Sequence, residues 1–99
     1  MSALNEILST SYEVDNNRTQ YDVLAKVMEE VGELACEVAI GNGGSYKTAG
    51  SDGIIGEAVD VIITATDLIY LTNPWITEDD LMDIIKTKLA KWKSKLGRP

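Results

Sequence analysis

Apolar residues recur along most of this chain with a helical period. Leu4, Ile7, Leu8 and Tyr12 predict a short first helix, weakened by the polar run from Ser9 to Ser11. The stretch "VDNNR" then breaks the pattern. Thr19, followed three residues later by Asp22, reads as a capping box, in which hydroxyl and carboxylate satisfy the free N–H groups of a helix start. A second helix is expected from about Gln20 to Ile40, with Leu24, Val27, Met28, Val31, Leu34, Ala35 and Val38 as its apolar stripe. "GNGGSYKTAGSDG", from Gly41 to Gly53, ends it. A third helix follows to about Leu71, where "TNP" stops it, because Pro74 disfavours helix at Asn73. Thr77 and Asp80 form another capping box. The last helix, to about Leu96, aligns Leu81, Ile84, Ile85, Leu89, Trp92 and Leu96 on one face. No strand, repeat or internal boundary is visible. The expectation is one all-α domain over residues 1–99, of the four-helix-bundle type.

The third helix does not fit a surface element. Apolar residues from Ile54 to Leu71 cover most of its circumference, and Glu57, Asp60, Thr64 and Asp67 form a single narrow polar stripe at i, i+3, i+7 and i+10. A helix that is apolar nearly all round is buried nearly all round. Three other helices from a 99-residue chain are scant cover. A core completed by a second copy of the chain is therefore expected.

Buried acids need compensation. Two like charges ~4 Å apart repel by about 4 kcal/mol at an effective dielectric of 20. On the second helix Glu30, Glu33 and Glu37 lie opposite the apolar stripe, where any amphipathic helix carries charge, so that helix alone decides nothing. Beside Glu57 and Asp60, Glu30 and Glu33 read differently. Lys26, one turn before Glu30, is one candidate counter-ion, and a hard divalent cation is the other.

Composition narrows that cation. The chain has no histidine and one cysteine, Cys36, which removes imidazole general bases, disulfides and the usual zinc sites. Carboxylates alone suit Mg²⁺ or Mn²⁺, and a di-iron bundle would need Glu-x-x-His. A net charge of −7 argues against direct nucleic-acid or anionic-membrane binding. No signal-peptide pattern opens the chain, and the acids between Ile54 and Leu71 oppose a membrane span, so a cytoplasmic location is expected. "GNGGSYKT" approaches a phosphate-cradling loop, but Tyr46 stands where a glycine is required and a helix rather than a strand precedes it. Lys88, Lys91 and Lys95 line one side of the last helix. They complement its dipole or contact a phosphate, and the sequence leaves both open.

Glu30-x-x-Glu33, a 23-residue gap and Glu57-x-x-Asp60 resemble the signature of the all-α nucleoside triphosphate pyrophosphohydrolases, in particular the single-domain MazG-like branch. "KVMEEVGEL", "GEAVDVIITATDLIY" and "KLAKW" carry the likeness from about Gln20 to Lys95. The resemblance implies Mg²⁺-dependent hydrolysis of a nucleoside triphosphate to the monophosphate and pyrophosphate, with Mn²⁺ as a substitute. It implies Glu30, Glu33, Glu57 and Asp60 as metal ligands and catalytic acids. By the same likeness Lys88 and Lys91 hold phosphates, and Lys26 orients Glu30 or reaches a phosphate. Asp67 stands where relatives often carry asparagine, toward the sugar or a water. Such proteins assemble as dimers or dimers of dimers, with helices of two chains lining each site.

Tyr12, Tyr46, Trp75 and Trp92 are candidates for stacking on a base. Trp92 fits the core stripe better, and Trp75 suits a staple holding its turn. The rival reading is a non-catalytic helical dimer whose acidic stripe binds a basic partner.

Overall fold

The computed structural model describes residues 2–14, 16–44, 48–50 and 52–97, and among them every regular element is helical. The helices are α1 (Ala3–Val14), α2 (Gln20–Gly41), α3 (Gly53–Thr72) and α4 (Glu78–Lys95). The fold is all-α, as the periodicity predicts. Both capping boxes form: Thr19 Oγ1 accepts from the Asp22 N–H at 3.1 Å, and Asp22 Oδ2 accepts from the Thr19 N–H at 2.8 Å. Thr77 and Asp80 repeat the exchange at 3.1 and 3.2 Å. Replacing either threonine by alanine would cost about 1 kcal/mol of helix stability. Asp52 caps α3 with no side-chain bond, and Gly53 beside it adopts a left-handed φ of 65° that glycine tolerates best. Asn73, before Pro74, is extended at φ −143° and ψ 88°.

α3 is the central element. It packs along α2 on one side and against α1 on another. Leu8 and Ser11 of α1 and Thr66 of α3 are buried. α4 barely touches the rest. Leu81 is its one buried residue, and every residue from Lys86 to Gly97 is exposed. Among the described residues only Leu8, Val23 and Leu81 are buried hydrophobics.

The other helices are scant cover for α3, as expected, for Ile55 is 81% exposed and Ile62 is 52% exposed. Two expectations are corrected here. The apolar face of α4 buries Leu81 alone, leaving Trp92 64% exposed rather than packed. Trp75 is no staple: its indole is 85% exposed, and the turn is held by Asn73 Oδ1 accepting from the Trp75 N–H.

The stripe of α2 divides. At 3.6 residues per turn, Val23, Val27, Glu30, Leu34 and Glu37 share one line, and Leu24, Met28, Val31, Ala35 and Val38 the next. The first line contains all the buried residues of α2, namely Val23, Glu30 and Glu37. The second is exposed throughout. α3 therefore covers the seam between the apolar and acidic faces, which turns acids inward and leaves half of the apolar stripe outside.

The accessible surface reflects this. It measures 7357 Å², against about 5,500 Å² for a folded monomer of this mass. The radius of gyration, 15.9 Å, likewise exceeds the ~13 Å of a 100-residue domain. No helix among the described residues is long and apolar enough to cross a membrane.

Candidate metal centre

Because α2 meets α3 along that seam, the two acidic pairs face each other. Glu30 lies one turn from Glu33 on α2, and Glu57 one turn from Asp60 on α3. Carboxylate oxygens of Glu30, Glu57 and Asp60 lie within 4.8 Å of one another. A second group of the same size joins Glu29, Glu30 and Glu33. Glu30 belongs to both and is 7% exposed, whereas Glu33 and Glu29 open to solvent.

The interior of this cluster is short of partners. Glu30 Oε2 and Glu57 Oε2 are both buried and accept no hydrogen bond among the described residues. Native proteins rarely leave buried polar atoms so. Burial, then the neighbouring charge of Glu33, pushes the Glu30 carboxyl above its ordinary value, despite a nearby lysine. Burial does the same to Glu57, followed by the charges of Glu33 and Asp60 and a hydrogen bond with Glu33.

Lys26 is the cation at hand. Its Nζ is 3.4 Å from Glu30 Oε1 and 3.5 Å from Glu29 Oε1, and its side chain is 53% exposed. It holds one oxygen of Glu30, consistent with an orienting role. One solvated ammonium does not balance this many carboxylates.

A divalent cation fits the donor set. Oxygen-only ligands from two helices, with two buried oxygens unclaimed, suit Mg²⁺ or Mn²⁺. Glu30, Glu57 and Asp60 would hold it from within, and Glu33 from the solvent side.

Farther along α3 the stripe changes character. Thr64 Oγ1 turns back onto the Asp60 carbonyl at 3.0 Å. Asp67 is fully engaged by Arg18, whose Nε donates to Oδ2 at 2.8 Å and whose Nη2 donates to Oδ1 at 2.5 Å. Nη2 also donates to the Ser11 carbonyl at 2.9 Å. This fork, above all, holds the Asp67 carboxyl below its ordinary value, against the upward push of burial. The pair pins the α1–α2 connection onto α3. It also lines a cleft of ≈ 540 Å³ between α1 and α3, walled by Ile7, Val14, Val59 and Ile63.

Sequence reading missed Arg18, because a partner 49 residues away leaves no local signal. Glu37 was missed for the same kind of reason: its buried carboxylate accepts from the Gly50 N–H at 2.6 Å, tying the glycine-rich loop to α2. Glu29 could have been found, since it adjoins Glu30 in "MEEVGE".

The remaining candidates lie apart. Lys88 and Lys91 stand on the exposed half of α4, and among the described residues no ion pair reaches them. Tyr12 is 72% exposed, and Tyr46 lies outside the described residues. Compared with family models, curated proteins and solved structures, the chain matches none.

Proposed function

We propose that the chain hydrolyses ribo- or deoxyribonucleoside triphosphates to the monophosphate and pyrophosphate with Mg²⁺, as the MazG-like pyrophosphohydrolases it resembles do. The observation that carries the reading is the pair of buried oxygens on Glu30 and Glu57 with no partner among the described residues, in a group where carboxylate oxygens of Glu30, Glu57 and Asp60 lie within 4.8 Å of one another. When bound there, a divalent cation neutralises charge on phosphate oxygens and supplies a water of lowered pKa. Glu30, Glu57 and Asp60 bind it and fix its position. Glu33, open to solvent and one turn from Glu30, holds the side from which a polyphosphate enters. Lys26 orients Glu30 and offers its exposed ammonium to an incoming phosphate.

Asp67 is withdrawn from direct contact with substrate in this reading, because both its oxygens serve Arg18. Its role becomes that of holding the cleft wall. The exposed apolar faces of α2, α3 and α4 support assembly into a homodimer or a dimer of dimers in the cytoplasm.

A panel of nucleoside triphosphates with Mg²⁺, resolving monophosphate, diphosphate, pyrophosphate and phosphate, tests the reaction. Monophosphate and pyrophosphate, lost in chelator and in Glu33→Gln, are expected. Intact triphosphates with both Mg²⁺ and Mn²⁺ would leave the acidic stripe as a docking surface for a basic partner.

A further inference from the structure

Glu37 is a buried acid that the cation centre does not use. It is 8% exposed and stands about two turns past Glu30 on the same line of α2. Among the described residues it belongs to neither carboxylate group. Its Oε1 accepts instead from the Gly50 N–H at 2.6 Å. A backbone N–H bonded to an ionised carboxylate is held roughly twice as strongly as by a neutral acceptor, and burial makes it costly to leave either end alone. The contact also requires glycine, since a Cβ on residue 50 would lie 2.6 Å from the same Glu37 oxygen.

The bond closes a connection that is otherwise loosely specified. From Asn42 to Asp52 the chain links α2 to α3 over a length beyond the ~2–8 residues usual between packed helices. Such a span does not by itself set where α3 begins along α2. Capping does not set it either. α2 and α4 start with capping boxes, whereas Asp52 gives α3 no side-chain bond. Gly50 is thus tied to α2 just before Gly53 opens the helix that carries Glu57 and Asp60. Beside the tie the two helices touch, for a Cβ on Gly41 would meet Ile54 Cδ1 at 3.4 Å.

We propose that Glu37 is a positioning residue for the cation centre. By latching Gly50 to α2 it fixes the start of α3, and so brings Glu57 and Asp60 level with Glu30. Its bearing on a cation rests on the reading proposed above, and the latch itself does not. A ligand role for Glu37 is the competing assignment and makes a different demand. A ligand must be an anion, whereas a latch needs only an oxygen that accepts.

Titrations with Mg²⁺ and with Mn²⁺, without nucleotide and followed by calorimetry, separate the two. Glu37→Ala should weaken cation binding about 10- to 100-fold, the usual loss when a group behind the metal ligands is removed. Glu37→Gln keeps an acceptor at the same reach and should restore most of the affinity. Gly50→Ala crowds Oε1 and should weaken binding as Glu37→Ala does. The two together should lose no more than Glu37→Ala alone, because both break one contact. Glu37→Gln as weak as Glu37→Ala would make Glu37 a ligand and overturn the proposal. Full affinity in Glu37→Ala, or losses that add in the double variant, would overturn it too.

The amide of Gly50 in the ¹⁵N-labelled wild type reads the latch with no substitution and no cation. Its proton should resonate downfield of ordinary glycine amides and exchange slowly with solvent, and Glu37→Ala should remove both signs. An ordinary, fast-exchanging Gly50 amide in the wild type would overturn the latch. A wild type that binds neither cation overturns the cation centre and the positioning role with it, while the Gly50 amide still decides the latch.

Discussion

Glu57 and Asp67 stand on the same stripe of α3, about 15 Å apart along the helix axis, and have opposite environments. Asp67 meets a guanidinium fork, keeps both oxygens bonded and is held below its ordinary value. Glu57 meets three other carboxylates, keeps a buried oxygen with no partner and is pushed upward. One helix face thus carries a carboxylate whose counter-ion is part of the chain and another that no ion pair reaches among the described residues. Burying a charge demands a partner. Where the fold supplies Arg18, the acid reads as structural. Where it supplies only more acid, the site reads as built for a cation from outside.

The largest expected effect breaks the two apart in activity. Glu57→Gln should lower triphosphate turnover about a thousandfold, the several kcal/mol that a positioned metal contributes to the transition state. Asp67→Asn, assayed well below its melting temperature, should lower it far less. Equal losses in the two variants would return Asp67 to the substrate site and erase the distinction.

Next comes the response to metal alone. Mg²⁺ at a hundredfold excess over its dissociation constant should add about 2.7 kcal/mol to unfolding stability. Calorimetry should find that gain in wild type and in Asp67→Asn, and none in Glu57→Gln. Persistence of the gain in Glu57→Gln would place the cation elsewhere, with the outer group of Glu29, Glu30 and Glu33 as the next place to look.

Without metal the same two substitutions should move stability in opposite directions. Asp67→Asn strips a charged hydrogen-bonded pair whose members are 13% and 20% exposed. A loss of about 2 kcal/mol is expected, a fall in Tm of about 10 °C. Glu57→Gln removes a carboxylate with no counter-ion among the described residues and should raise the metal-free Tm by a few degrees. A fall in Tm for Glu57→Gln would mean that its carboxylate already has a partner.

How much of this was legible in the residues depends on the range of the interaction. Thr19 with Asp22 and Thr77 with Asp80 are three apart, so both helix starts were readable, and the period of the apolar residues yielded four helices. The approach of Glu30 to Glu57 and Asp60 was expected from the resemblance that their two spacings carry, whereas Glu33 groups with Glu29 and Glu30 instead. Which face α3 covers was not. A broad apolar stripe on α2 does not say which of its edges a neighbour will take, and so the burial of Glu30 and Glu37 and the exposure of Met28 went unseen. The Arg18–Asp67 pair was invisible because its members lie 49 residues apart. Trp92 was assigned to a core because a stripe reads the same whether its own chain or another covers it.

The smallest effect, and the most direct reading of the contrast, is the pH dependence of the metal-free chain. Glu30 and Glu57 have folded pKa values above their ordinary 4.5. Between 4.5 and those raised values the folded chain binds more protons than the unfolded one, so stability falls as pH rises through the window. Asp67 acts in the other direction. Its folded pKa lies below 3.8, so its contribution is present above 3.8 and lost as pH falls through the lower value. In chelator, Tm should therefore peak at about pH 4 to 5, decline toward neutrality, and level off once both glutamates are ionised. Mg²⁺ should abolish the decline, since it binds the ionised carboxylates and its own gain grows with pH. Glu57→Gln should flatten the neutral side and leave the acid side intact, and Asp67→Asn should do the reverse. A metal-free Tm that rises steadily from pH 4.5 to 7 would mean that the oxygens of Glu30 and Glu57 are solvated or paired after all, leaving α3 with one kind of acid where two are argued.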